Sequence, residues 1–154
     1  MTRLNVNGQV HELEIAPDEI LADVLRNKLG LHGVRVSCGE GECGSCTILL
    51  DGKPVTSCLM LAIQTEGKEI ITIEGLSTGE TLHPVQEAFI EEQGFQCGFC
   101  TPGIILSSKA LLETNPEPDA DEVAEALTGH VCRCGAYPYI IKSVLNAADK
   151  LKTQ

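Results

Sequence analysis

The sequence predicts an α+β chain, a small mixed sheet followed by a bundle of helices, and three observations carry that expectation. Two turn dipeptides, Asn7-Gly8 and Asp51-Gly52, sit between short apolar runs in the first half, where such pairs mark hairpins. In the second half apolar residues recur at the i, i+3, i+4 spacing of a buried helix face. Eight cysteines divide into Cys38, Cys43, Cys46 and Cys58, then Cys97, Cys100, Cys132 and Cys134, so each half carries its own set.

Leu4 and Val6 alternate with polar neighbours up to the first turn, and Val10, Leu13 and Ile15 make the return strand with one slip in alternation. Pro17-Asp18-Glu19 is expected to open a helix whose Leu21, Val24, Leu25 and Leu29 share one face, with Gly30 closing it. Thr47-Ile48-Leu49-Leu50 and Lys53-Pro54-Val55 flank the second turn, and Ile70-Ile71-Thr72-Ile73 is the last strand. Strands, one crossing helix and a long cysteine loop make a small α+β domain. The stretch from Glu74 to Glu80, with two glycines and small polar residues, reads as a connector. The chain therefore divides into domains 1–76 and 77–154.

Four helices are expected beyond the connector. Pro84 to Gln93 is stopped by Gly94, and Pro102 to Glu113 is ended by Asn115-Pro116. Asp119, Asp121 and Glu122 load acid onto the first turn of a third helix, which suits its dipole. Tyr139 to Leu151 is the fourth, with Ile140, Ile141, Val144, Leu145 and Ala148 on one face. Short loops between them predict a small bundle.

Composition narrows the function. Apolar residues make up 43% of the 154, but Trp is absent and Phe and Tyr number only 3 and 2. Each half, at roughly 75 residues, buries little surface by itself, so bound metal is an expected staple. A net charge of −11 repels phosphate backbones and argues against nucleic-acid binding. The N-terminus lacks the apolar core of a signal peptide, and no apolar run approaches the roughly 18 residues of a membrane span. The expected location is the cytoplasm, where thiols stay reduced and eight cysteines point to metal or redox chemistry.

The first cysteine group is C-x4-C-x2-C followed, after eleven residues, by the fourth cysteine. Its opening is the plant-type [2Fe–2S] spacing. A compact loop must aim three thiolates inward while its backbone N–H groups turn toward sulfur, stabilising the charge of the reduced cluster. Glycine fills three of the six non-cysteine positions between Cys38 and Cys46, permitting positive φ and close approach to an inorganic sulfide. Zinc is the competitor, and its paired C-x2-C knuckles do not occur in this group. Glu40 and Glu42 are expected to be solvated loop charges.

The second group, C-x2-C with a distant C-x-C, is less specific. Its spacing alone admits a cluster, a zinc half-site or a redox dithiol. A dithiol leaves Cys132 and Cys134 without a role, and a single residue between two cysteines is uncommon in zinc knuckles.

Gln96-Cys97-Gly98-Phe99-Cys100-Thr101-Pro102-Gly103 and His130-Val131-Cys132-Arg133-Cys134-Gly135, taken with Cys38-Gly39-Glu40-Gly41-Glu42-Cys43-Gly44-Ser45-Cys46, resemble the iron–sulfur subunit of the molybdenum hydroxylases. This is the xanthine dehydrogenase and carbon monoxide dehydrogenase family, and the resemblance covers nearly the whole chain. It implies a ferredoxin-like β-grasp domain followed by a four-helix-bundle domain, each with one [2Fe–2S] cluster. It implies two partners, a molybdopterin-binding large subunit and an FAD-binding medium subunit, in a dimer of heterotrimers or a similar assembly. Electrons would pass singly from the molybdenum–pterin centre through the helical-domain cluster and the β-grasp cluster to FAD. The chain itself is then no catalyst. By the same resemblance Cys97, Cys100, Cys132 and Cys134 hold the cluster nearer molybdenum, and Cys38, Cys43, Cys46 and Cys58 the one nearer flavin. Gln96 and Cys134 match the positions that contact the pterin.

The chain departs from the family at one place. The family commonly continues its Cys-Arg-Cys with Thr-Gly-Tyr, whereas Gly135-Ala136-Tyr137 stands here, so the backbone or a hydroxyl contact after Cys134 is expected to differ. Arg133 reads equally as a cation between two ligating thiolates or as a solvated side chain. His83 and His130 are expected to be structural, because eight cysteines already satisfy two clusters. Two other classes compete, a free-standing soluble ferredoxin and a zinc-stabilised interaction module. The second domain speaks against the first, and a red-brown colour would separate iron–sulfur from zinc.

Overall fold

The computed structural model describes residues 1–153. Asn7 and Gly8 both take left-handed backbone, φ 53 and 76, which is the conformation a two-residue hairpin loop requires. They fold β1 (Thr2–Val6) onto β2 (Gln9–Leu13) with Val6 opposite Gln9 and Thr2 opposite Leu13. Asp51 and Gly52, φ 49 and 77, do the same for β3 (Thr47–Leu50) and β4 (Lys53–Thr56). The last strand, β5 (Glu69–Ile71), lies parallel to β1 and antiparallel to β3. The sheet order is β2-β1-β5-β3-β4. Asn7 ties its turn to the exit of β5, its side chain accepting from Thr72 N–H at 2.9 Å and donating to Thr72 Oγ1 at 3.0 Å.

Two expectations for this half shift. Val10 pairs with Asn5 and points away from the core, 67% exposed; the slip in alternation belongs to His11 and Leu13, which lie on the face of Leu4. The crossing helix begins at Leu21, not Pro17. Glu19 closes a turn instead, its carboxylate accepting from Ala16 N–H at 2.6 Å and its carbonyl accepting from Ala62 N–H at 2.9 Å. The helix α1 is α-helical over Leu21–Asp23 and widens to a π-helical turn over Val24–Lys28, where Leu29 N–H reaches Val24 O. Leu21, Val24 and Leu25 are still buried against Leu4, Val6, Ile48 and Ile70.

In the second half α2 (Pro84–Glu91), α3 (Thr101–Thr114), α4 (Ala120–Ala126) and α5 (Tyr137–Lys152) follow in order. Asp119 and Glu122 form a reciprocal capping box at the start of α4. His83 caps α2, its Nδ1 accepting from Val85 N–H at 3.2 Å. Val85, Ala88 and Phe89 of α2 pack with Ile140, Val144, Ala147 and Ala148 of α5, and each fully buried large side chain contributes about 1.5–3 kcal/mol.

The two halves are not independent. Every residue of β3 is buried, because the strand is covered on both sides, as a continuous apolar run implies. Ile48 and Leu50 belong to the core under α1, whereas Leu49 belongs to the helical core. Helix α3 packs over β3, and its first turn meets the cysteine loop with no side chain between: a Cβ on Gly103 would stand 2.5 Å from Gly44 O. The bundle is thereby docked directly on the first cysteine loop.

Candidate metal centres

Cys38, Cys43 and Cys46 ride on the loop between α1 and β3, and Cys58 comes from the 3₁₀ turn Ser57–Leu59 after β4. The β3–β4 hairpin supplies the convergence. Thr47 pairs with Thr56, and just beyond that pair Ser57 donates to Cys46 O through both N–H, 3.3 Å, and Oγ, 2.7 Å. Gly39, Gly41 and Gly44 all take left-handed backbone, φ 69, 77 and 70, which turns amides inward as the glycine count predicts. Glu40 N–H lies 3.4 Å from Cys38 Sγ. The amides of Glu40 and Cys43, with the Cys43 thiol, bring the Cys38 thiol down to about 6. Cys58 is pushed up to about 11 by burial and by its hydrogen-bonded neighbour Cys46.

The second set spans more chain. Cys97 and Cys100 lie in the turn that leads into α3, with Cys100 at its N-cap, and Cys132 and Cys134 lie between α4 and α5. Cys97 is held low by the Phe99 amide and then by the thiol of Cys134. Cys100 is pushed up to about 12 by burial and then by Cys132. Burial raises Cys132 too, but the Ala136 amide, the Cys100 thiol and the amides of Cys134 and Gly135 together outweigh it and the thiol ends below its ordinary value; Ala136 N–H is 3.5 Å from its sulfur. At the family departure, Gly135 takes φ 72 and Ala136 is buried at 1%.

In each set the four thiols lie near enough to act on one another's ionisation: Cys43 lowers Cys38, Cys46 and then the charge of Cys38 raise Cys58, Cys134 lowers Cys97, and Cys132 and then the charge of Cys97 raise Cys100. Among the described residues no three His, Cys, Asp or Glu side chains converge as the donors of one ion. A tetrahedral zinc site draws its donors to a single point, whereas a [2Fe–2S] core offers two irons to four thiolates. Four mutually interacting thiols in each set, with amides turned toward sulfur, fit the binuclear core.

The two sets touch through their loops. Val131 N–H donates to Cys43 O at 3.0 Å. A Cβ on Gly44 would stand 2.6 Å from His130 Nδ1 and 2.7 Å from Gly129 O, so only glycine lets the loops meet this closely. His130 is engaged elsewhere, its Nε2 2.7 Å from Ser107 Oγ, and burial keeps its pKa below the ordinary value. His83 is the cap of α2. Gln96, Cys97, Arg133 and Cys134 are all exposed, and the Cys134 thiol acts on that of Cys97.

Sequence reasoning missed Tyr137. Its hydroxyl accepts from Cys132 N–H at 2.8 Å and donates to His130 O at 3.3 Å, fixing the second loop from the first turn of α5. The only signal was an aromatic residue three positions after Cys134. Gly103, also unremarked, stands where α3 meets the first loop.

Residues 4–72 match the 2Fe-2S iron-sulfur cluster binding domain family, and residues 72–145 match the [2Fe-2S] binding domain family. The chain is 47% identical to the nicotine 6-hydroxylase small subunit of Paenarthrobacter nicotinovorans, over 96% of this chain and 89% of that protein. It is 43% identical to the nicotinate dehydrogenase small FeS subunit of Eubacterium barkeri, over 96% of this chain and 94% of the other. Its fold superposes on quinoline 2-oxidoreductase from Pseudomonas putida 86 with a TM-score of 0.94 at 42% identity, covering 99% of this chain and 95% of that one. Two [2Fe–2S]-binding domains in this order, along nearly the whole chain, make it a member of the iron–sulfur subunit family of the molybdenum hydroxylases.

Proposed function

We propose that this chain is the electron-transfer subunit of a multi-subunit molybdenum hydroxylase. Electrons would run from a molybdenum–pterin centre through a helical-domain cluster and then a β-grasp cluster to FAD. Cys38, Cys43, Cys46 and Cys58 hold one [2Fe–2S] cluster within domain 1–76. Cys97, Cys100, Cys132 and Cys134 hold the other within domain 77–154. Each cluster, when bound, supplies storage for a single electron. The observation that carries the reading is the gathering of eight thiols into two sets of four, with a backbone amide 3.4 Å from Cys38 Sγ in one set and 3.5 Å from Cys132 Sγ in the other.

The chain's own residues do the rest. Amides of Glu40, Cys43, Phe99 and Ala136 favour thiolate over thiol and stabilise the added charge on reduction. The Cys43–Val131 hydrogen bond offers a short bonded path between the centres. Exposed Gln96 and Cys134 suit an edge that meets the pterin of a large subunit, and the Cys38–Cys46 loop suits the side that meets an FAD-binding medium subunit. A dimer of heterotrimers or similar assembly is the expected setting, in the cytoplasm, where thiols stay reduced. No helix among the described residues is long and apolar enough to cross a membrane.

Metal analysis of the purified complex tests this. About four iron and four sulfide per copy of this chain, with two distinct one-electron signals, is the expected result. Half that iron, or stoichiometric zinc, would refute it.

A further inference from the structure

Arg35 is a cation with no ion-pair partner among the described residues, and its Nε is buried with no hydrogen-bond partner among them. Burying a guanidinium N–H unsatisfied is unfavourable, so the position needs another reason. Its backbone is firmly placed. The preceding Val34 is a core residue, 2% exposed, and Val34 O accepts from Arg26 Nη1 at 2.5 Å. From there the Arg35 guanidinium reaches across to the other half of the molecule and lies over the ring of Phe99, 5.7 Å from its centroid. That is within the reach of a cation–π contact.

Phe99 has a particular place. It stands between Cys97 and Cys100, in the turn that leads into α3. A side chain that fixes the Phe99 ring also fixes the backbone between these two cysteines. A tetrathiolate [2Fe–2S] core is negative, and reduction adds one further negative charge. A permanent, half-buried cation outside any described ion pair is screened less than a surface charge and favours the reduced form. Lysine in the same place would keep the charge but lose the planar face that lies along a ring.

We propose that Arg35, a residue of the β-grasp half, is a positioning residue for the helical-domain centre. It clamps the Cys97–Cys100 turn through Phe99 and sets a positive charge beside it, raising the reduction potential of that centre above what its own loop would give. The inference rests on the assignment of Cys97, Cys100, Cys132 and Cys134 to one cluster, and iron and sulfide content of the same preparations tests that assignment separately.

The experiment is a redox titration of the purified complex followed by electron paramagnetic resonance, in wild type, Arg35→Gln, Arg35→Lys and Phe99→Leu. The signal lost in Cys134→Ser identifies the helical-domain centre. In Arg35→Gln its midpoint falls, and falls by more than that of the other centre. Arg35→Lys keeps a midpoint nearer wild type, and Phe99→Leu lowers it with the charge retained. Should Arg35→Gln lose the centre altogether, retention in Arg35→Lys supports the proposal, and equal loss in both overturns it. An unchanged midpoint in Arg35→Gln, or a shift confined to the Cys38-loop centre, also overturns it.

Discussion

The amide of Val131 donates to the carbonyl of Cys43 at 3.0 Å, joining the residue before one cysteine of the second set to the backbone of a cysteine of the first. The bond exists because three tight features coincide: glycine at 44, glycine at 103, and a bundle docked straight onto β3. The two loops behave as one structural unit.

Gly39→Ala and Gly44→Ala place a side chain at nearly the same backbone angle, φ 69 and 70. Open space surrounds the first, whereas the second drives a methyl into Gly129 O and His130. Gly39→Ala should therefore lose only the left-handed penalty, about 1–2 kcal/mol. Gly44→Ala adds an overpacking cost of about 1–3 kcal/mol and prises the loops apart. Thermal midpoints of the two complexes, with electron exchange between the centres, read the difference.

Tyr137→Phe removes the hydroxyl that satisfies Cys132 N–H and His130 O. The stranded backbone groups should lower stability by about 1–3 kcal/mol. The helical-domain signal should be lost on heating or chelation before the other one, and time courses of the two signals during chelator challenge check it.

His83 accepts from Val85 N–H only as neutral imidazole. Burial, then the charge of Lys109, hold its pKa below the ordinary value, with Glu113 opposing. A lowered folded pKa means that the unfolded chain binds the proton more readily. The cap's contribution is then full above about pH 6.5 and declines as pH falls toward the folded value. Asparagine caps without titrating. His83→Asn should narrow the gap between thermal midpoints measured at about pH 7.5 and pH 5.5; an unchanged gap would assign the acid sensitivity to other groups.

The residues that spoke plainly in the sequence were those whose local chemistry decides locally. Asn7-Gly8 and Asp51-Gly52 made the two hairpins, Asp119 and Glu122 capped α4, and on the apolar face of α5 Ile140, Val144 and Ala148 are buried with Ile141 and Leu145 partly so. Where a distant partner decided, the sequence was silent. Glu19 delays α1 because Ala62, far along the chain, takes its carbonyl. Leu49 changes core because α3 covers the outer face of β3. The spacing of Cys38, Cys43 and Cys46 announced a cluster loop, yet the gathering of thiols in each set depends on the β3–β4 hairpin and on the α4–α5 loop. Tyr137 and Arg35 act through contacts that no local pattern encodes.

Two centres working in series must fail in series. The most direct measurement is rapid mixing of substrate with a complex carrying Cys43→Ser, following the helical-domain signal and flavin absorbance together. The expected result is a helical-domain centre still reduced at the wild-type rate while flavin reduction stalls. Flavin reduced at the wild-type rate, with the Cys38-loop centre shown to be missing, would contradict the series order.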